Sequence, residues 1–162
     1  MPSRSRCGPD RAGRRFAYPR RAMTEQRNRI PRRDAEGRVL TLGDLLGVSL
    51  AGWVIGVLAL VALDWAVTSF SSGEFGQANG WLAVILPAWL YWDDFRAWGF
   101  GAARVVAGLV AGAVGLTLGL AVAGLTSDLP PVVSGGLGAA AFTLGYAVVW
   151  FHGVRWLARR TG

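Results

Sequence analysis

Lysine is absent from this sequence of 162 residues; all 17 basic residues are arginine. A phosphate-binding loop that closes on a Gly-Lys pair is therefore excluded. Cysteine occurs once, at Cys7, and histidine once, at His152. One cysteine excludes a disulfide within the chain. One histidine and one cysteine are too few for a typical transition-metal centre, which needs clustered His, Cys, Asp or Glu ligands. A Ser-His-Asp triad would have to use His152, and the Gly-x-Ser-x-Gly elbow that presents such a serine does not occur. Two catalytic aspartates inside a membrane would need mid-span positions, and Asp64, Asp93 and Asp94 fall at the edges of apolar stretches. The sequence predicts no catalytic residue, no cofactor and no metal.

Charge is present but unevenly placed. Residues 1–42 hold 12 of the 17 arginines against four acidic residues, about +8, and the rest holds five arginines against six acids, about −1. A strongly basic chain suggests nucleic acid as a partner. Here the positive charge sits on a tail attached to a hydrophobic body, so the expected partner is a lipid bilayer and not nucleic acid. Residues 1–42 are rich in Arg, Pro and Gly and have no apolar periodicity. Such a segment cannot bury enough surface to offset its ordering entropy, which predicts a disordered cytoplasmic tail. Met23 offers an alternative start within it, after the pairs Arg14-Arg15 and Arg20-Arg21. Exclusive use of arginine, with 23 glycines and abundant alanine, points to a GC-rich bacterial coding sequence.

Three uncharged runs, residues 45–63, 105–125 and 132–154, reach the roughly 20 residues that a helix needs to cross a bilayer. A fourth, residues 81–92, is shorter and contains Pro87; as a helix it would cover about 18 Å. Arginine placement decides how it is read. Residues 64–80 and 126–131 contain no arginine, whereas the tail, residues 93–104 and the C-terminal end contain all of them. Four spans put every arginine on one side, and three would strand Arg155, Arg159 and Arg160 on the other. By the positive-inside rule, residues 43–160 form an all-α, polytopic domain of four transmembrane helices, over about residues 45–64, 76–95, 104–125 and 132–154. Both termini are expected in the cytoplasm and the protein in the inner (plasma) membrane. Trp65, Phe70, Phe75 and Trp81 are expected at the outer interface. Trp89, Tyr91, Trp92, Phe95, Trp98, Phe100, Trp150, Phe151 and Trp156 are expected at the inner one.

Lipid offers no hydrophobic gain for helix association, so small residues that let backbones approach mark the packing faces. Gly108, Gly112, Gly115 and Gly119 form one stripe, and Gly138, Ala141 and Gly145 another. The first span has Gly47 with Ala51, and Gly52 with Gly56. Seven residues beyond Gly145 lies His152. A tie is therefore expected in which His152 or Arg155 pairs with Asp93 or Asp94, locking the second helix to the fourth. Asp93 and Arg96, three apart, offer a local alternative. The function expected is that of an accessory or assembly subunit, or a homo-oligomer, acting through helix contacts with itself or other membrane subunits. The alternative is a small transporter or channel for an ion or small solute, with Asp64, Asp94 or His152 as its ionisable element.

Overall fold

A computed structural model describes residues 31–161 apart from residue 100. The expectations for residues 1–30, including the disordered tail and the Met23 start, and for Phe100 lie outside the described residues. The described chain is all-helical: α1 (Leu42–Phe70), a 3₁₀ segment (Gly80–Val84) running into α2 (Ile85–Ala97), α3 (Ala102–Leu125) and α4 (Pro131–Thr161). Three of these, α1, α3 and α4, are long and apolar enough to cross a membrane.

The first helix opens on Thr41, whose hydroxyl accepts from the Asp44 backbone N–H at 3.1 Å. Asp44 in the first turn complements the helix dipole. The helix does not stop at Asp64 as the sequence suggests, and continues to Phe70. An aspartate mid-helix is tolerable when its carboxylate is bonded, and Asp64 accepts from the backbone N–H of Gly76. Little of α1 is covered by the chain itself: only 11% of its most apolar stretch is buried. Ile55, Leu58 and Leu63 on α1 are all exposed, as are Leu109 and Leu120 on α3.

The second apolar stretch is built in two parts. Five residues of 3₁₀ helix and 13 of α-helix, at about 2.0 and 1.5 Å per residue, extend about 30 Å. Pro87 is the third residue of α2, in the first turn, where its missing N–H costs little. It leaves the Ala83 carbonyl without an α-helical donor. That carbonyl lies against Gly56 of α1, where a Cβ would meet the oxygen at 2.9 Å. Gly52 similarly faces Leu86 and Pro87. The Gly52–Gly56 pair thus cradles the 3₁₀-to-α junction.

The most extensive helix interface joins α3 to α4. A Cβ on Gly119 would stand 2.8 Å from the Gly138 carbonyl oxygen, and one on Gly138 would stand 2.9 Å from that of Gly119. Gly115 approaches Phe142 and Gly145, and Gly153 approaches Ala107. The contacts move up one helix as they move down the other, so α3 and α4 are antiparallel. By the same reasoning α1 is antiparallel to α2 (Gly52 at Pro87, Gly56 at Ala83). Directions alternate along the chain, and α4 is the central helix, with α3 on one flank and α1 on another. One end of the bundle gathers Arg38, Arg96, Arg104, Arg155, Arg159 and Arg160; the other holds the loops after α1 and α3.

Candidate functional site

The polar side chains buried in this bundle fall at its two ends and at one level between. At the arginine end, residues 31–41 fold back as a short hairpin, correcting the expectation that the featureless tail runs to residue 42. Arg33 and Val39 form an isolated antiparallel bridge. The Asp34 carboxylate accepts from the Glu36 N–H at 3.1 Å and the Arg38 N–H at 2.7 Å. Gly37 takes a φ of +85° at the turn. This local bonding, with a single apolar anchor, replaces the periodicity that the segment lacks. The anchor is Val39, buried in a cluster with Leu45, Tyr91, Ala107, Trp150 and Val154.

Val39 is held on both sides of its peptide. Its N–H donates to Asp94 Oδ1 at 2.9 Å, and its carbonyl accepts from Arg155 Nη2 at 2.6 Å. The other Asp94 oxygen accepts from the Trp150 indole N–H at 2.7 Å. The expected direct pairing of Asp94 with Arg155 is therefore replaced by a relay through the backbone of Val39. The other two residues named for that tie stand apart. Asp93 is exposed, and His152 is exposed with its ring edge-on to Phe151 at 5.5 Å. A seven-residue extrapolation drifts by about 20°, and at this level the buried face of α4 is Trp150 and Val154. Nor does Arg96 take up the local alternative: its guanidinium lies over the Trp92 ring, 5.0 Å from the centroid.

The carbonyls at the end of α2 are also capped by arginine. Arg104 donates to the Trp98 carbonyl at 3.0 Å and the Phe95 carbonyl at 3.4 Å, and Arg38 to that of Ala97 at 3.5 Å. Cations at a helix C-terminus satisfy orphan carbonyls and complement the dipole.

The opposite end repeats the relay with different residues. Asp64 Oδ2 of α1 accepts from Gly76 N–H, and the Gly76 carbonyl accepts from Val132 N–H of α4 at 3.1 Å. Gly76 has a φ of +93° and packs on Pro130. A carboxylate, one loop peptide and α4 thus close each end.

The chain matches no family model, no curated protein and no solved structure. Its chemistry must be read from the geometry alone. Among the described residues no three His, Cys, Asp or Glu side chains gather as a metal site would require. Between the two ends, Tyr91 donates to the Thr143 carbonyl at 2.8 Å and Ser49 to the Leu45 carbonyl at 2.6 Å. Both satisfy buried hydroxyls, the second within α1 and the first between α2 and α4.

Of the residues named as packing faces, Gly115 and Gly119 are buried against α4 and Gly138 against α3, and half-buried Gly145 also faces α3. Gly108 lies beside Phe95 and Trp150, Ala141 is half-buried, and Gly112 has open space where a Cβ would stand. The buried line of α3 is Ala107, Ala111, Gly115 and Gly119. Sequence reasoning missed the aromatic ladder that joins α2 to α4. Tyr91 meets Tyr146 at 4.4 Å between centroids, and Phe95 meets Trp150 at 5.6 Å. The signal was present as Tyr91/Phe95 four apart and Phe142/Tyr146/Trp150 at the same spacing. Tyr91 and Trp150, expected at a lipid interface, are inside the bundle, whereas Trp65, Phe70, Trp89 and Trp156 face outward.

Proposed function

We propose that this chain is a four-span protein of a bacterial plasma membrane, with its arginine end in the cytoplasm, and that it works without catalysis through helix contacts. Its partners in this reading are copies of itself or other membrane subunits. Support for the fourth span comes from the segment Gly80–Ala97, whose extent of about 30 Å equals the thickness of a bilayer core. Support for the orientation comes from the arginines at one end of an alternating bundle.

The observation that carries the association reading is an unused face of α1. Gly43, Gly47 and Ala51 recur every fourth residue, and all three are exposed. Among the described residues, nothing beyond the helix's own backbone approaches within 4 Å of the space a Cβ would take at Gly43 or Gly47. Lipid-embedded helices associate where small residues allow backbones to approach. The neighbouring Gly52–Gly56 pair already serves that purpose inside the bundle. The buried carboxylates favour the transporter reading less, since Asp64 and Asp94 sit at opposite ends and each holds a loop peptide.

Blue-native electrophoresis in mild detergent tests the proposal. The chain is expected to migrate above the monomer, and Gly47→Ile to shift it down without loss of folded protein. A wild-type chain that migrates only as a monomer, alone and in its native membrane extract, overturns it.

A further inference from the structure

Helix α3 packs along α4, while α2 reaches α4 through the aromatic ladder and the Trp150–Asp94 bond. Helices α2 and α3 meet near Phe95 and Gly108 and leave a groove between them. Its volume is about 320 Å³, and its walls are Tyr91, Trp92 and Phe95 of α2 and Val105 and Leu109 of α3, with Tyr146 as floor. That volume is at the small end of the roughly 300–1,000 Å³ typical of ligand sites. The lining is almost wholly apolar and opens sideways, toward the surface that lipid covers in the proposed orientation. A second shallow groove follows the other side of the ridge formed by Ala88 and Trp92, past Ile85 and Trp89.

Trp92 lines both grooves and Phe95 lines the first, and a guanidinium stands over each of these two rings. Trp92 and Phe95 are stacked at 6.0 Å. The guanidinium of Arg96 covers the Trp92 ring at 5.0 Å, and that of Arg104 covers the Phe95 ring at 4.4 Å. From Ala88 to Arg96 is eight residues of helix, about 12 Å along the axis. An apolar channel of that depth, twinned across a ridge and closed at the interface by two arginines, matches a molecule with two hydrocarbon chains and one anionic head.

We propose that the cleft between α2 and α3 binds one anionic phospholipid. Its phosphate lies between Arg96 and Arg104, one acyl chain enters the cleft, and the other lies along Ile85 and Trp89. Arg96 suits this role because its planar fork can pair with phosphate while its face remains stacked on the Trp92 ring; Arg104, whose Nη1 caps the Phe95 and Trp98 carbonyls, contributes its charge. The proposal rests on the membrane reading above, and its test separates the two.

The detergent-solubilised full chain is titrated with phosphatidylglycerol or phosphatidylcholine of identical acyl chains and examined by native mass spectrometry. A single phosphatidylglycerol is expected to remain bound at collision energies that strip phosphatidylcholine. Arg96→Gln is exposed and should reduce the preference for the anionic lipid about fivefold, the factor for one arginine near a charged surface. Leu109→Trp fills the cleft from an exposed position and should abolish retention of either lipid, while thermal unfolding still reports a folded chain. Excess inorganic phosphate should not displace the lipid. Equal retention of the two lipids, displacement by phosphate, or indifference to both substitutions overturns the site. Carbonate extraction of the chain from native membranes is the separate arm: release overturns the membrane reading and the site together, and retention with equal lipid binding overturns the site alone.

Discussion

Trp150 and Asp94, 56 residues apart in sequence, share a buried hydrogen bond of 2.7 Å from the indole N–H to the carboxylate. It joins the two helices that also carry the aromatic ladder, and it leaves the second carboxylate oxygen for the Val39 N–H. One side chain thus takes part both in the α2–α4 contact, beside the aromatic ladder, and in the docking of the 31–41 hairpin, beside Arg155.

Trp150→Phe is expected to cost about 1–3 kcal/mol, the usual penalty for leaving a buried acceptor short of a donor. Asp94→Ala should cost more, because it orphans two donors. Thermal unfolding in detergent, followed by tryptophan fluorescence and by scattering, measures both. An Asp94→Ala chain as stable as the wild type would show that this bond does not hold the bundle.

Exchanging the charges of Asp94 and Arg155 is not expected to restore stability. A direct ion pair would tolerate the swap. Here Val39 stands between the two groups and presents an N–H to one and a carbonyl to the other. Arginine at position 94 has no acceptor to offer Val39 or Trp150. The double variant should melt no higher than the less stable single variant, and a clear rescue would favour a direct pair.

Gly112→Ala and Gly119→Ala should differ in sign although the two glycines belong to one stripe. A Cβ at position 119 would come within 2.6 Å of the Trp81 ring, an overpacking expected to cost about 1–3 kcal/mol. At position 112 there is open space, and alanine should be neutral or gain up to about 1 kcal/mol from helix propensity. Unfolding midpoints of the two variants in the same detergent decide the matter.

Asp64→Asn keeps an oxygen acceptor for the Gly76 N–H, and Asp64→Leu removes it. Limited proteolysis between residues 71 and 79 should be unchanged in the first variant and faster in the second. If the carboxylate instead served ion movement, Asp64→Asn would alter ion flux in liposomes while proteolysis stayed the same.

Three helices long and apolar enough to cross a membrane were legible because hydropathy is a local quantity, summed along residues that are neighbours in sequence. Three long uncharged runs became α1, α3 and α4, with α1 continuing six residues past position 64 and α4 seven past position 154. The stretch around Pro87 was legible only as a weak span. Its 3₁₀ entry brings Gly80 onto the α4 backbone, where a Cβ would collide with the Val132 carbonyl oxygen and the Gly136 nitrogen. Nothing local to residues 76–95 announces that contact.

The candidate site was legible only in part. Asp94 and Arg155 were named, but their intermediary, Val39, sits in a segment whose composition reads as unstructured. His152 was placed inward by extrapolating a stripe, and α4 turns Trp150 and Val154 inward at that level instead.

Composition and hydropathy by themselves determined that the chain is helical, apolar over three long runs and arginine-rich toward one end, because each of these properties is carried by short stretches of sequence. Only the packed bundle decided that Trp150, and not Arg155, meets Asp94, that Val39 relays between α2 and α4, and that a groove opens between α2 and α3. Those outcomes depend on how each helix is rotated about its axis. One residue turns a helix by 100°, so partners are selected by the fit of whole faces, a quantity no single segment contains.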